Sequence, residues 1–176
     1  YLFFVSTLAC LKVGKGYTCI NNSQTKDQVH SIQKTTAASV VVVDTASEAF
    51  YQEVGLDAVP GLSALKQPDI ETLWNEIPFP EPMEIRVTPS DCAYVFCTSG
   101  STGVPKVVPI SHGNLMAYLE SADERYQVDE NDRFLQNSAL TFDVSIHEIL
   151  FPWYKGACVY AVTTQSFNLV EYVRAE

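Results

Sequence analysis

Two stretches of the chain carry residue types that could do chemistry. The first is Thr98-Ser-Gly-Ser-Thr-Gly-Val-Pro-Lys106. Thr98, Ser99, Ser101 and Thr102 offer hydroxyl donors, and Lys106 adds a positive charge. Gly100 and Gly103 let the backbone come close to a bound group. Successive N–H groups in such a turn form a concave nest for anions. The spacing therefore reads as an anion cradle suited to phosphate. A polar hairpin turn without a ligand has the same composition, so both readings stand at this point. The Gly-Lys-Ser/Thr form of the nucleotide P-loop is not matched, because Pro105 precedes Lys106 and no helix starts at once. The second stretch is Phe142-Asp-Val-Ser145. An aspartate at a helix start is ordinarily a cap or a partner for the helix dipole. By itself Asp143 is ambiguous, with the cap as its usual role.

The elements around these stretches are legible. Cys92 to Cys97 is an apolar, aromatic-rich run that predicts a strand, and Val107 to Ile110 predicts a second. Pro109 lacks an N–H and suits an edge position. Ser111 is a good N-cap for a helix running to about Tyr126, and His112 reads as part of that helix start. Arg133 to Ala139 predicts a strand, and Leu140 to Lys155 opens and completes a helix stopped by Gly156. Ala157 to Val162 predicts a further strand. Phe142, Ile146, Ile149 and Trp153 are placed to line or back a pocket, or to fill the core; for Ile149 and Trp153 core is preferred.

Upstream, Leu2 to Leu11 predicts a largely buried helix ending near Gly14, and Tyr17 to Ile20 a strand. Ser23 to Thr36 predicts an amphipathic helix with Val29 and Ile32 inward and His30 as a solvated residue. Ser39 to Val43 is the continuous β-branched run of a parallel strand covered on both faces. Thr45 to Val54 predicts a helix stopped by Gly55. From Leu56 to Ser90 six prolines break the pattern, leaving a short helix near Asp69 to Glu76. Glu71, Glu76, Glu81 and Glu84 read there as a solvated acidic loop. This alternation predicts an α/β fold, a parallel sheet with helices on both faces.

Composition narrows the function. The 176 residues carry a net charge of -10, from 11 basic and 21 acidic side chains. That argues against a nucleic-acid surface and against an anionic membrane. Five cysteines without a Cys-x-x-Cys pair favour free thiols in a reducing compartment, hence the cytosol, over disulfides or zinc. No apolar run reaches membrane-spanning length, and no signal peptide is evident.

Thr98 to Lys106 resembles the phosphate-loop signature of the adenylate-forming (AMP-binding) superfamily, usually Tyr-Thr-Ser-Gly-Ser/Thr-Thr-Gly-x-Pro-Lys-Gly. Cys97 stands where that signature has tyrosine, and Val107 where it has glycine. Leu11-Lys-Val-Gly-Lys-Gly-Tyr-Thr-Cys-Ile-Asn21 resembles a second segment of the family, with a scaffold role. Phe142-Asp-Val-Ser145 is similar to the Phe-Asp-x-Ser segment of the adenylation domains of nonribosomal peptide synthetases. The resemblance implies ATP and Mg2+ as cofactors, with Thr98, Ser99, Gly100, Ser101, Thr102, Gly103 and Lys106 around the ATP phosphates. It implies that Asp143 pairs with an amino-acid ammonium and that Phe142 shapes the pocket. His147 falls at a helix position that in such relatives shapes the side-chain pocket. The implied partner is a peptidyl carrier protein domain bearing phosphopantetheine. No catalytic residue and no metal ligand is assigned.

Segments for adenine and ribose, and a small closing domain with its lysine, are not found in these 176 residues. The expectation is therefore a single partial domain, 1–176, of the large subdomain. By itself it is expected to have little or no adenylating activity. Two other readings stay open: another adenylate-forming ligase, of the acyl-CoA synthetase or aminoadipate-reductase type, or a degenerate, non-catalytic nucleotide-binding module.

Overall fold

The computed structural model describes residues 1–76, 85–98 and 106–162. They fall into two compact units, Tyr1–Leu115 and Met116–Glu176. In the first, helix α1 (Leu2–Lys12) ends at Gly14, whose φ is +66°. The Gly14 N–H bonds the Leu11 carbonyl at 3.2 Å and the Lys15 N–H bonds the Cys10 carbonyl at 2.9 Å. This double closure needs a left-handed residue, which glycine supplies. The helix is less covered than its apolar sequence implies: Val5 and Leu8 are 47% and 48% exposed. The strand expected at Tyr17–Ile20 is reduced to one bridge, from Tyr17 to Tyr94.

Helix α2 (Lys26–Thr36) starts later than Ser23 because Thr25 forms a capping box with Gln28. The Thr25 hydroxyl accepts the Gln28 N–H at 3.3 Å, and the Gln28 side chain accepts the Thr25 N–H at 2.8 Å. Val29 and Ile32 point inward as the periodicity predicts. Val29 joins Val43, Tyr51, Val54 and Leu56 in the core of this unit. His30 is not a solvated residue: its Nε2 lies 2.7 Å from the Val54 carbonyl oxygen and pins α2 to the end of the next helix.

Strand β1 (Val40–Val43) leads through a single 3-10 turn into α3 (Glu48–Glu53), which stops at Gly55. Strand β2 (Ser63–Lys66) then returns parallel to β1, with Val40 opposite Ser63 and Val43 opposite Lys66. β1 is covered on one face only; Val43 is buried, whereas Val40 and Val42 are 50% and 39% exposed. Helix α4 (Gln67–Glu76) is the short helix expected near Asp69 to Glu76, and Glu71 and Glu76 belong to it rather than to a loop. Glu81 and Glu84 lie outside the described residues. Strands β3 (Cys92–Thr98) and β4 (Lys106–Ser111) form an antiparallel pair, followed by α5 (His112–Arg125). The boundary between the units falls in the first turns of α5.

The second unit is a β–α–β crossover. Strands β5 (Arg133–Gln136) and β6 (Cys158–Ala161) are parallel, with α6 (Val144–Tyr154) between them in sequence and packed on both. Ile146, Ile149, Leu150 and Phe151 of α6 are buried. Gly156, at φ +75°, closes α6 as Gly14 closes α1. The Gly156 N–H reaches the Trp153 carbonyl at 3.1 Å and the Ala157 N–H the Pro152 carbonyl at 2.8 Å. Lys155 pairs with Asp123 on α5. The chain is thus α/β, with a parallel pair in each unit and, among the described residues, one antiparallel hairpin. Among the described residues no helix is long and apolar enough to cross a membrane.

The capping box has a measurable consequence. Thr25→Ala removes the acceptor of the Gln28 N–H and is expected to lower stability by about 1 kcal/mol. Denaturant unfolding of the intact protein checks it; an unchanged midpoint would show that the box contributes nothing.

Candidate functional site

The β3–β4 ladder runs from Cys92 opposite Ser111 to Thr98 opposite Lys106. Thr98 and Lys106 therefore stand side by side at the loop end of the hairpin, both exposed. Ser99, Gly100, Ser101, Thr102 and Gly103 lie outside the described residues. The two described ends bring a hydroxyl and an ammonium to one place, a donor set that suits a phosphate chain.

The base of this hairpin is rigidly held. Tyr17 brackets β3, its N–H bonding the Ala93 carbonyl at 3.4 Å and its carbonyl accepting the Val95 N–H at 2.8 Å. Its ring packs on Tyr94, which packs edge-on to Phe96. Burial pushes the Tyr17 phenol above its ordinary pKa. Gly16 lies so close to β3 that a Cβ there would sit 2.7 Å from the Cys92 sulfur. That close approach, together with the stop at Gly14, is the scaffold role of the Leu11–Asn21 segment. Cys97 is half-buried; burial raises its thiol pKa, and a hydrogen bond with Thr18 works the other way.

At the same base, the Asp91 carboxylate accepts the Thr88 N–H at 2.7 Å, which holds its pKa below the usual range. The Asp91 carbonyl accepts the His112 N–H at 2.9 Å and so anchors α5. The Ser111 hydroxyl accepts the Asn114 N–H at 3.1 Å, the cap expected from the sequence. The buried Nε2 of His112 has no hydrogen-bond partner among the described residues. The backbone of His112 thus serves the helix start, as read from the sequence.

The turn between β5 and α6 carries the second set. Asp143 occupies the N-cap position of α6, yet its side chain makes no capping hydrogen bond and is exposed. The capping role that its position permits is therefore not used. Phe142, beside it, is 65% exposed, and Val144 53%. Ile146 and Ile149 are buried at 6% and 2% exposure. They are core, and Trp153 is half-buried. His147, one turn beyond Asp143, is half-buried against aromatic rings, and its Nδ1 lies 2.7 Å from the Tyr118 hydroxyl.

What fixes this turn is largely two side chains of α6. The Ser145 hydroxyl, 1% exposed, donates to the Phe142 carbonyl at 2.6 Å. One turn on, the Glu148 carboxylate accepts three donors. These are the Asn137 N–H at 3.1 Å, the Ser138 N–H at 2.9 Å and the Ser138 hydroxyl at 2.8 Å. Gln136, itself almost buried, donates its amide to the Ser138 carbonyl. The loop from Asn137 to Asp143 is thereby held at both ends, and Phe142 and Asp143 are presented on it. Glu148 and Tyr118 escaped the sequence reading, since each looks like an ordinary surface residue of an amphipathic helix. The Phe-Asp-x-Ser spacing was the one available hint, because Ser145 three residues after Phe142 can bond back to it. Among the described residues no group of three or more His, Cys, Asp or Glu side chains could hold a metal ion.

These elements are the α/β fold of the N-terminal part of adenylate-forming proteins. The Vibrio cholerae adenylation domain AlmE, solved with glycyl-adenosine-5'-phosphate, superposes with a TM-score of 0.80 at 26% identity, over 93% of this chain and 34% of that one. The N-terminal domain of FACL13 from Mycobacterium tuberculosis has a TM-score of 0.80 at 17% identity, covering 93% of this chain and 41% of that one, a likeness of fold alone. The model of the AMP-binding enzyme family matches residues 1–176, and the chain belongs to that family. Sequence relatives include the nonribosomal peptide synthetase atnA of Emericella nidulans, 30% identical over 161 residues. Another is cm3A of Cordyceps militaris, 33% identical over 161 residues. They match 88% and 90% of this chain, which spans only 2% and 3% of their lengths.

The carboxylate clamp generates a prediction. Glu148→Gln replaces one acceptor oxygen by a donor facing other donors. It is expected to cost about 1–3 kcal/mol of stability. Thermal unfolding of the intact protein reads this directly; a melting temperature equal to the wild type would mean the turn is held by other means.

Proposed function

We propose that this chain is part of the large N-terminal subdomain of an adenylation enzyme that activates an amino acid. The observation that carries this reading is the uncommitted carboxylate of Asp143, exposed at the head of α6 beside the exposed ring of Phe142. A fixed negative charge next to apolar surface suits a ligand with an ammonium group and a carbon skeleton. The sequence likeness to nonribosomal peptide synthetases supports an amino acid over a fatty acid, as does the likeness to a domain solved with an aminoacyl-adenylate.

The proposed reaction has two steps. An oxygen of the amino-acid carboxylate attacks the α-phosphorus of ATP, the bond to pyrophosphate breaks, and aminoacyl-AMP forms. The phosphopantetheine thiol of a peptidyl carrier protein domain, as its thiolate, then attacks the acyl carbon and AMP leaves. Thr98, Lys106 and the loop between them hold the ATP phosphates. Asp143 pairs with the α-ammonium, and Phe142 and His147 shape the pocket. Bound Mg2+ supplies charge compensation on the phosphates. Most of the acceleration then comes from alignment and charge stabilisation rather than from a protein nucleophile. The five free cysteines fit a reducing cytosol.

The test is amino-acid-dependent ATP–pyrophosphate exchange by the intact protein over an amino-acid panel. One or a few amino acids are expected to support exchange. Asp143→Ala is expected to reduce kcat/KM for that amino acid about a hundredfold or more, because the ammonium loses its counter-charge. Exchange undiminished in the variant would remove Asp143 from the site. Exchange only with carboxylates lacking an amine would replace the amino-acid reading by an acyl-activating one.

A further inference from the structure

Asp143, the N-cap of α6 with helical backbone angles, and His147 are four residues apart, so they lie on one face of the helix start, about 5–6 Å apart at Cβ. The surroundings of the His147 ring are unusually complete. Phe151 stacks on it with centroids 5.2 Å apart and planes 14° from parallel. Tyr126 and Phe134 flank it at 5.5 and 6.4 Å. These contacts set the plane of the ring. They do not decide which way the ring is turned within that plane, because a half-turn about Cβ–Cγ exchanges Nδ1 for a carbon and leaves the stacking nearly the same.

That choice is made by Tyr118 on α5. Its hydroxyl lies 2.7 Å from Nδ1 of His147, while the two rings meet edge-on with centroids 6.3 Å apart. With Nδ1 taken, Nε2 is the nitrogen left over, and it has no hydrogen-bond partner among the described residues. Tyr118 also feels Asp143. Its phenol pKa is raised chiefly by burial, then by Tyr126 and by the charge of Asp143.

We propose that Tyr118 is a positioning residue for amino-acid recognition, acting through His147. Its hydroxyl selects the ring orientation that leaves Nε2 to meet the side chain of the bound amino acid, on the helix face that carries Asp143. This role rests on the amino-acid-activating reading above. It assigns to α5 a part in substrate selection that the Phe-Asp-x-Ser segment alone does not contain. Phenylalanine at position 118 would preserve the ring packing and remove only the orienting bond.

The experiment is pyrophosphate exchange by the intact protein carrying Tyr118→Phe, His147→Phe, or both. Tyr118→Phe is expected to raise KM for the preferred amino acid about three- to tenfold, the worth of one hydrogen bond. KM for ATP and the melting temperature should stay at wild-type values. Once His147 is replaced, Tyr118→Phe should have no further effect on KM for the amino acid, because the two act as a unit. An unchanged KM for the amino acid would overturn the role of Tyr118 alone, as would equal losses in both KM values with a lowered melting temperature. So would additive effects in the double variant. Absence of exchange by the wild type with every amino acid would overturn both this role and the function on which it rests.

Discussion

One carboxylate organises the second unit. Without Glu148, the N–H groups of Asn137 and Ser138 would have to find water or stay unpaired as the chain leaves β5. Asn137 is exposed and can turn to water, whereas Ser138 is half-buried. An unpaired buried donor costs on the order of 1–3 kcal/mol, so the turn would relax toward solvent. With Glu148 in place, the exit from β5 is tied to the second turn of α6, and Ser145 ties the last part of the same turn to the first. Asp143 and Phe142 are consequently displayed by a loop that is fixed from the helix it precedes. That arrangement explains how an exposed aspartate can be held in one place without using its own side chain to hold itself.

The first unit solves a similar problem with backbone rather than charge. Its hairpin must deliver Thr98 and Lys106 to one spot across a ladder. Tyr17, clasping β3 on its other edge, keeps that ladder from sliding. Gly14 and Gly16 bring Tyr17 there, one by ending α1 sharply and the other by permitting close contact with Cys92. Position in the cradle is thus inherited from residues some eighty positions upstream.

Local signals made much of this legible in the sequence. Gly14, Gly55 and Gly156 stop helices where expected, Ser111 caps α5, and the two strands around the loop fall where their β-branched and aromatic residues place them. The family was legible too, through the loop and the Phe-Asp-x-Ser segment. What escaped depends on distance along the chain. Strand β2 is short and lies among prolines, and only its pairing with β1 makes it a strand. His30 looked like a surface residue because the Val54 carbonyl that holds it is 24 residues away. The partnership of Tyr118 with His147 spans 29 residues, and nothing in the pattern of either helix announces it. The valines of β1 misled for a different reason: a β-branched run specifies a strand, but how many of its faces are covered is decided by neighbours elsewhere.

Pro109 bears on a hazard that every exposed strand carries. Among the described residues β4 pairs only with β3, which leaves its outer row of backbone groups without a strand partner. Such a row is a template for another chain, and stacking of identical edges is how many β proteins precipitate. Pro109 sits opposite Val95 in the middle of that edge and contributes no N–H to it, while Lys106 adds charge at one end. An incoming strand would meet a gap in the donor row just where its register would have to be set. The same hairpin that holds Thr98 and Lys106 side by side thus presents, among the described residues, an outer edge that its own proline interrupts.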